Sequence, residues 1–446
     1  MTSPKDAFVW TLLSFLVAVL LTLPVAGCSG DADSGNEADT NETSDNGQGH
    51  DHGHSHEGGA DHGHSHASPE PAPVDDPTSD IELSDETGID DLLAIIRSVN
   101  KTRATEALLQ LAVRDIPEDK IEEVSIQIAK SCMDSDDLTR VAAEQAVMEI
   151  GEPISQHLGS LMNSEAPMEY GAGCSAVRFL GPEARQWLPQ LTEGLNHPDA
   201  TVRRMALFGL DNFGLEALPV LDRLIELLDD TDFNNQVGVC QVLEDLGIEA
   251  APAEQKLLEV VEEGNLSARS WALVALGAIG PTPDTDVAGL LAERLNAFAQ
   301  PEKERALMGL AHLGTEASDH LEAIEAMMTD ERKRCQPWAA YTYWRVSGDT
   351  EKTLESLSGY LSNETYRRAA LDMLTKMGDV AAPTAAEIVA NLSTAEPDVL
   401  EQSLLALQTF GSAASGHEEA LEPYLENDDP LIRFHTRKAI ASLSGE

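Results

Sequence analysis

Histidine at alternate positions is the chain's plainest chemical signal. Residues 49–66 read "GHDHGHSHEGGADHGHSH" and hold seven of the thirteen histidines: His50, His52, His54, His56, His62, His64 and His66. In an extended chain alternate side chains point the same way, so each row presents its imidazoles on one side. The EGGA spacer lets one row fold toward the other, and Asp51, Glu57 and Asp61 supply nearby carboxylates. Imidazole suits Zn, Cu and Ni. Tetrahedral Zn takes four ligands, so seven histidines hold one ion well or two loosely. Such binding weakens below pH about 6.5, where imidazoles protonate. The competing reading is a polar tether lengthened by duplication of DHGHSH, with incidental metal affinity, because ordering a disordered ligand set costs entropy.

The flanking sequence bears on that choice. From Ser29 to about Asp80 there is almost nothing apolar, and Asp, Glu, Gly, Ser and Pro abound. Such a segment buries too little to offset the entropy of ordering, and disorder is predicted. As a flexible coil, about 50 residues span roughly 40 Å root-mean-square. Upstream, "MTSPKDAFVWTLLSFLVAVLLTLPVAGCSG" has the layout of an export signal. Its apolar run approaches the length of a membrane span of about 20 residues. However, Val25-Ala26-Gly27-Cys28 resembles the lipobox of bacterial lipoproteins. That resemblance implies cleavage before Cys28, lipid on Cys28 and a place in the cell envelope; Ser29, in place of Asp, favours the outer membrane. An uncleaved N-terminal anchor is the rival, and it leaves the chain in the same compartment. The expected organisation is a signal over 1–27, a tether over 28–80 and a folded body over 81–446.

Charge narrows the partners. The net charge is -49, with 78 Asp+Glu against 29 Lys+Arg. Too few cations are present to neutralise phosphates, which excludes nucleic acid. Strong acidity also keeps a chain soluble and monomeric.

The folded body is built on a period. Glycine recurs after an apolar residue at Gly151, Gly181, Gly214, Gly247, Gly280, Gly314, Gly348, Gly378 and Gly411, in steps of 30 to 34 residues. Four residues before these glycines stand Val147, Val177, Leu210, Leu243, Leu276, Leu310, Trp344, Leu374 and Leu407. Seven before is mostly Leu, and eight before is mostly Ala. Offsets of one, four, seven and eight form one apolar stripe on an α-helix. Glycine then ends the helix in a left-handed position, proline often opens a second helix, and turns such as "DDTD" and "NHPD" cap the next unit.

Two antiparallel helices per 33 residues predict an all-α fold, an α-solenoid of about ten hairpins. Here the chain resembles HEAT repeats, in particular the short phycobilisome-lyase variety. "PDATVRRMALFGLDNFGLEALPVLDRLIELLDD" and "SARSWALVALGAIG" carry the likeness. The resemblance implies a right-handed superhelix. It also implies inter-repeat stacking roles for Arg140, Arg203, Arg269 and Arg367, eleven before the glycine. By the same register Cys174 and Cys240 are expected as buried free thiols, whereas Cys132 and Cys335 are left undecided.

Catalytic motifs are missing: no G-x-x-x-x-G-K-[ST], G-x-S-x-G or H-E-x-x-H occurs. Deoxyhypusine hydroxylase, a HEAT-type relative, uses several His-Glu pairs. This chain has them only at His56-Glu57 and His417-Glu418. Bilin lyases are intracellular, against the export signal. One repeat stands apart, "ERKRCQPWAAYTYWRVSG" at 331–348, in a chain that is 4% aromatic. The register puts Tyr341 and Trp344 in core slots and leaves Trp338 exposed; Trp338 and Arg334 are the candidate partner-docking residues. The expectation is a non-catalytic, lipid-anchored scaffold that binds a protein along its concave face. The alternative is a metal-handling lipoprotein whose histidine tract captures Zn, Cu or Ni.

Overall fold

The computed structural model describes residues 76–445, with 85, 284 and 331–334 excepted. The seven tract histidines, Cys28 and Arg334 lie outside the described residues. Among the described residues there are helices and turns and no strand. Eleven of the helices form an inner row: α1 (Lys101–Ala112), α2 (Asp137–Ile150), α3 (Pro167–Leu180), α4 (Ala200–Leu210), α5 (Phe233–Leu246), α6 (Leu266–Ile279), α7 (Gln300–Leu313), α8 (Gln336–Ser347), α9 (Arg367–Met377), α10 (Pro397–Phe410) and α11 (Pro430–Ser444). Each packs against the next. The returning limbs, commonly a 3₁₀ turn leading into a short α-helix such as Leu221–Leu227 or Glu254–Glu263, lie outside.

The stripe read from the sequence is the core. Val147, Val177, Leu210, Leu243, Leu276, Leu310, Leu374 and Leu407 are all 0% exposed, and so are Ala143, Ala206, Ala272, Ala306, Ala340 and Ala370. Asp136, Asp199, Asp232 and Asn265 cap α2, α4, α5 and α6 with side-chain acceptors on backbone N–H groups. The terminating glycines differ from the expected left-handed cap. Gly151, Gly181, Gly247 and Gly314 have φ between 53° and 68° but ψ of −129° to −132°. That is mirror-β backbone, open to glycine and hostile to a Cβ. It turns the chain directly from α-helix into a 3₁₀ limb at Gly181, Gly247 and Gly314, and into the short helix Glu152–Gln156 at Gly151.

Gly348 is the exception, with φ 75° and ψ 4°, a true left-handed cap. No 3₁₀ turn follows it; Asp349 caps the helix Thr350–Leu361 at once. Helix α8 ends at Ser347, immediately before its glycine as its neighbours do, but its buried stripe sits one position earlier, on Ala339, Tyr343 and Val346. Tyr343 takes the buried slot at 7% exposed, while Tyr341 and Trp344 are half-buried. The core slots expected for Tyr341 and Trp344 are thus corrected. Trp338 is half-buried against the core rather than fully exposed.

Close approach sets the curvature. A Cβ on Gly277 of α6 would meet the backbone of Gly309 of α7 at 2.3 to 2.6 Å, so these helices touch backbone to backbone. The row then closes on itself: α11 packs against α1. Arg433 Nη2 lies 3.1 Å from Glu106 Oε1, and Lys438 Nζ lies 2.7 Å from Glu149 Oε2. All four folded-body cysteines, Cys132 and Cys335 included, are buried, and none of the four is in a disulfide. Burial pushes the Cys174 thiol up to about 12.

Candidate functional site

The face opposite the core stripe carries the remaining chemistry. Offsets of two, three, six and nine before the terminating glycine share one side of each inner helix, turned away from the stripe at one, four, seven and eight. In α6 this side holds Trp271, Gly277 and Ala278; in α7 it holds Arg305, Met308 and His312. Through its one-residue turn, α8 presents Trp338, Tyr341, Trp344 and Arg345 there. On α9 the same positions are Asp372 and Lys376.

Contacts across non-adjacent helices show that this face is concave. His312 Nε2 of α7 lies 3.0 Å from Glu244 Oε1 of α5. Between them α6 offers only Gly277 and Ala278, so the two side chains meet over it. Lys376 of α9 feels the fields of both Glu244 and Arg305. The Arg305 guanidinium stacks 3.9 Å from the Trp271 ring centroid, a desolvated cation–π contact. Lys376 Nζ stands 5.8 Å from the Trp338 ring centroid. Trp338 meets Tyr341 edge-on at 6.5 Å, and Tyr341 meets Trp344 at 5.8 Å. Arg345 donates to the Tyr341 hydroxyl at 3.2 Å. A ladder of three aromatic rings flanked by cations results.

Beside it, α3 to α5 bury a charged chain. Arg178, 2% exposed, donates to Asp211 Oδ2 through Nε and lies 2.7 Å from the same oxygen through Nη2. Its guanidinium is 4.3 Å from the Phe208 ring centroid. Burial raises the Asp211 carboxyl against the pull of Arg178. Burial, with Asp211 and Glu244 nearby, raises Asp245 well above the carboxylate range. Removing one partner of a buried pair costs about 3–5 kcal/mol, so this chain holds the inner wall rigid. Among the described residues no group of three or more His, Cys, Asp or Glu is placed to hold a metal ion.

The slot eleven before the glycine links repeats as the resemblance implied for two of its arginines. Arg203 grips Asp230 through Nε at 2.6 Å and Nη2 at 2.8 Å, and Arg269 Nε reaches Glu302 at 2.8 Å. Arg140 instead pairs within its own helix with Asp137, and Arg367 donates to the Leu361 carbonyl.

Of the two docking residues read from the sequence, Trp338 lies on this inner face. Glu244, Trp271, Arg305, His312, Arg345 and Lys376 were missed. Their signal was available as the offsets two, three, six and nine, complementary to the core stripe. What hid it was the slip at Gly348, which no spacing of glycines reveals.

Residues 188–277, from the limb before α4 through most of α6, match the family model of HEAT repeats. None of the curated proteins matches the chain. Among solved structures, an engineered protein is 17% identical over 81% of this chain and 99% of its own, with a TM-score of 0.33. The karyopherin Kap121p bound to the extreme C-terminus of the protein phosphatase Cdc14p is 16% identical, over 80% of this chain and 46% of its own, at TM-score 0.37. The same karyopherin bound to Pho4p gives 15%, 80%, 45% and 0.36. The chain thus spans less than half the length of these karyopherin chains. The segment 188–277 is similar to HEAT repeats, and helical hairpins continue on both sides of it in one α-solenoid.

Proposed function

We propose that this chain is a non-catalytic scaffold that docks a partner protein on its inner face, held to the cell envelope by lipid on Cys28 through the tether 28–80. The observation that carries the reading is the concentration of aromatic and cationic side chains on α6 to α9. Three of the chain's five tryptophans, Trp271, Trp338 and Trp344, stand there together with Arg305, Arg345 and Lys376. Trp, Tyr and Arg are the residue types that dominate binding hot spots, and a rigid wall lowers the ordering cost of association. Half-buried rings held by neighbours are already set in place before a partner arrives.

The test is a photo-crosslinking amino acid placed at Tyr341 in the full chain, in its native cells, beside the same group at Glu259 on an outer helix. A discrete protein adduct at position 341 that is missing at 259 is the expected result. Equal labelling at both positions, or none at 341, rejects an inner-face scaffold.

A second reading rests on the seven histidines of 50–66: the tract captures Zn, Cu or Ni for a partner held by the solenoid. The two readings part on whether removing those histidines changes anything.

A further inference from the structure

The inner face holds cations that the protein itself leaves short of anions. Arg305 makes one polar bond, to Met308 Sδ at 2.9 Å, and stacks on Trp271. Among the described residues no carboxylate lies within ion-pair distance of Arg305 or of Arg345. Lys376 has a carboxylate only 3.8 Å away, on Asp372 of its own helix, which is too far for a hydrogen bond. In a chain with 78 acids and 29 bases, two arginines of one face without a carboxylate at ion-pair distance stand out, although Glu244 and Asp372 lie on the same face. Burial pulls both Arg305 and Lys376 below their ordinary values, against the opposite pull of Glu244 and Glu304 on Arg305 and of Asp372 and Glu244 on Lys376. Opposite these donors, Glu244 Oε2 is buried and accepts no hydrogen bond.

We propose that the inner face of α6 to α9 receives an extended peptide segment bearing a carboxylate side chain, with the carboxylate between Arg305 and Lys376 and its flanking residues on Trp338, Tyr341 and Trp344. This rests on the scaffold reading and names its partner's chemistry. The Arg305 guanidinium lies over the Trp271 ring and donates through Nη1 to Met308 Sδ; a guanidinium's remaining N–H donors are the kind that grip a carboxylate. Glu244 Oε2 takes a backbone N–H of the same segment; a peptide supplies donor and acceptor together, whereas a phosphate supplies acceptors alone. The net charge of -49 repels long polyanions, so a single carboxylate between apolar neighbours fits better than an acidic run. Binding strength falls as salt rises, since an ion pair forms.

Calorimetry on the full chain tests this with three heptapeptides, alternating Glu with Tyr, Gln with Tyr, and Lys with Tyr. The expected order is Glu–Tyr at least tenfold tighter than Gln–Tyr, with Lys–Tyr weakest. Arg305→Gln and Lys376→Gln each weaken the Glu–Tyr peptide at least fivefold and leave the Gln–Tyr peptide unchanged. Because the first comparison is made on the native chain, it decides even where a variant fails to fold. Equal affinity for Glu–Tyr and Gln–Tyr overturns carboxylate recognition while leaving an aromatic docking face. A preference for Lys–Tyr, or no binding of any peptide, overturns the proposal. The scaffold reading is judged separately by whether position 341 crosslinks to a partner.

Discussion

Arg433 Nη2 meets Glu106 Oε1 at 3.1 Å across 327 residues of sequence. The same guanidinium donates through Nη1 to the carbonyls of Asn427 and Asp428, six and five residues earlier. Arg203 does likewise with His197 and Pro198 while gripping Asp230 of the following repeat. The last repeat thus uses the inter-repeat arginine device, but the repeat that follows it in space is the first. Lys438–Glu149 is the second link of this seam.

These seam pairs are partly exposed, so each is worth up to about 1 kcal/mol. The double variant Glu106→Arg, Glu149→Lys is expected to lower stability by about 1–2 kcal/mol. Adding Lys438→Glu, which restores opposite charges at the second link, should recover about half of it; Arg433 is kept because it also holds the Asn427 and Asp428 carbonyls. Urea midpoints measure both steps. No loss in the double variant would mean that apolar packing alone closes the row.

Two glycines should respond oppositely to alanine. Gly277 faces the Gly309 backbone, and overpacking a tight contact costs about 1–3 kcal/mol. Gly359, inside the helix Thr350–Leu361, has nothing near its missing Cβ. Gly359→Ala is expected to stabilise by about 0.5–1 kcal/mol through helix propensity. Thermal melts of the two variants check the pair, and a stabilising Gly277→Ala would refute the backbone contact.

Stability should vary with pH through two buried groups, Glu144 and His435, and the half-buried Glu401. Burial pushes Glu144 up to about 7, against the opposite pull of Arg140 and Arg178, with Asp137 adding to the rise. Glu401 is likewise raised to about 7 by burial. A carboxyl raised on folding contributes stability below its unfolded value near 4.5 and loses it as pH climbs through 7. His435 has the opposite sign: burial, with Lys438 nearby, pulls it down to about 4. Its contribution is present above about 6.5 and lost as pH falls through 4. From pH 4.5 to 7, unfolding free energy should therefore decline less steeply in Glu144→Gln than in the native chain. It should decline more steeply in His435→Gln. Identical slopes in urea titrations across that window would contradict the assignment.

The histidine tract is tested by titrating Zn into the full chain with a competing chelator, beside a variant with all seven tract histidines changed to Ser. Micromolar binding, about −8 kcal/mol, that weakens below pH about 6.5 and vanishes in the variant is the expectation of the metal-handling reading. Millimolar binding, or binding indifferent to the variant, leaves the tract as tether.

The sequence by itself determined the repeat, because a helix must bury one stripe and end where glycine permits a positive φ. Ala143, Ala206 and Ala272 fill the 0% exposed slots that their spacing assigned. It likewise assigned Cys174 and Cys240 to the interior. Tertiary structure alone decided two things. One is closure: how far each repeat rotates on the last depends on contacts such as Gly277 on Gly309, and those rotations sum over the whole row. The other is the inner face of α8, where a buried stripe one position earlier than in its neighbours, ending at Val346, set Trp338, Tyr341 and Trp344 beside Arg305 and Lys376. A one-residue shift of the buried stripe rotates every side chain on the helix by about 100°, and only packing against both neighbours selects that rotation.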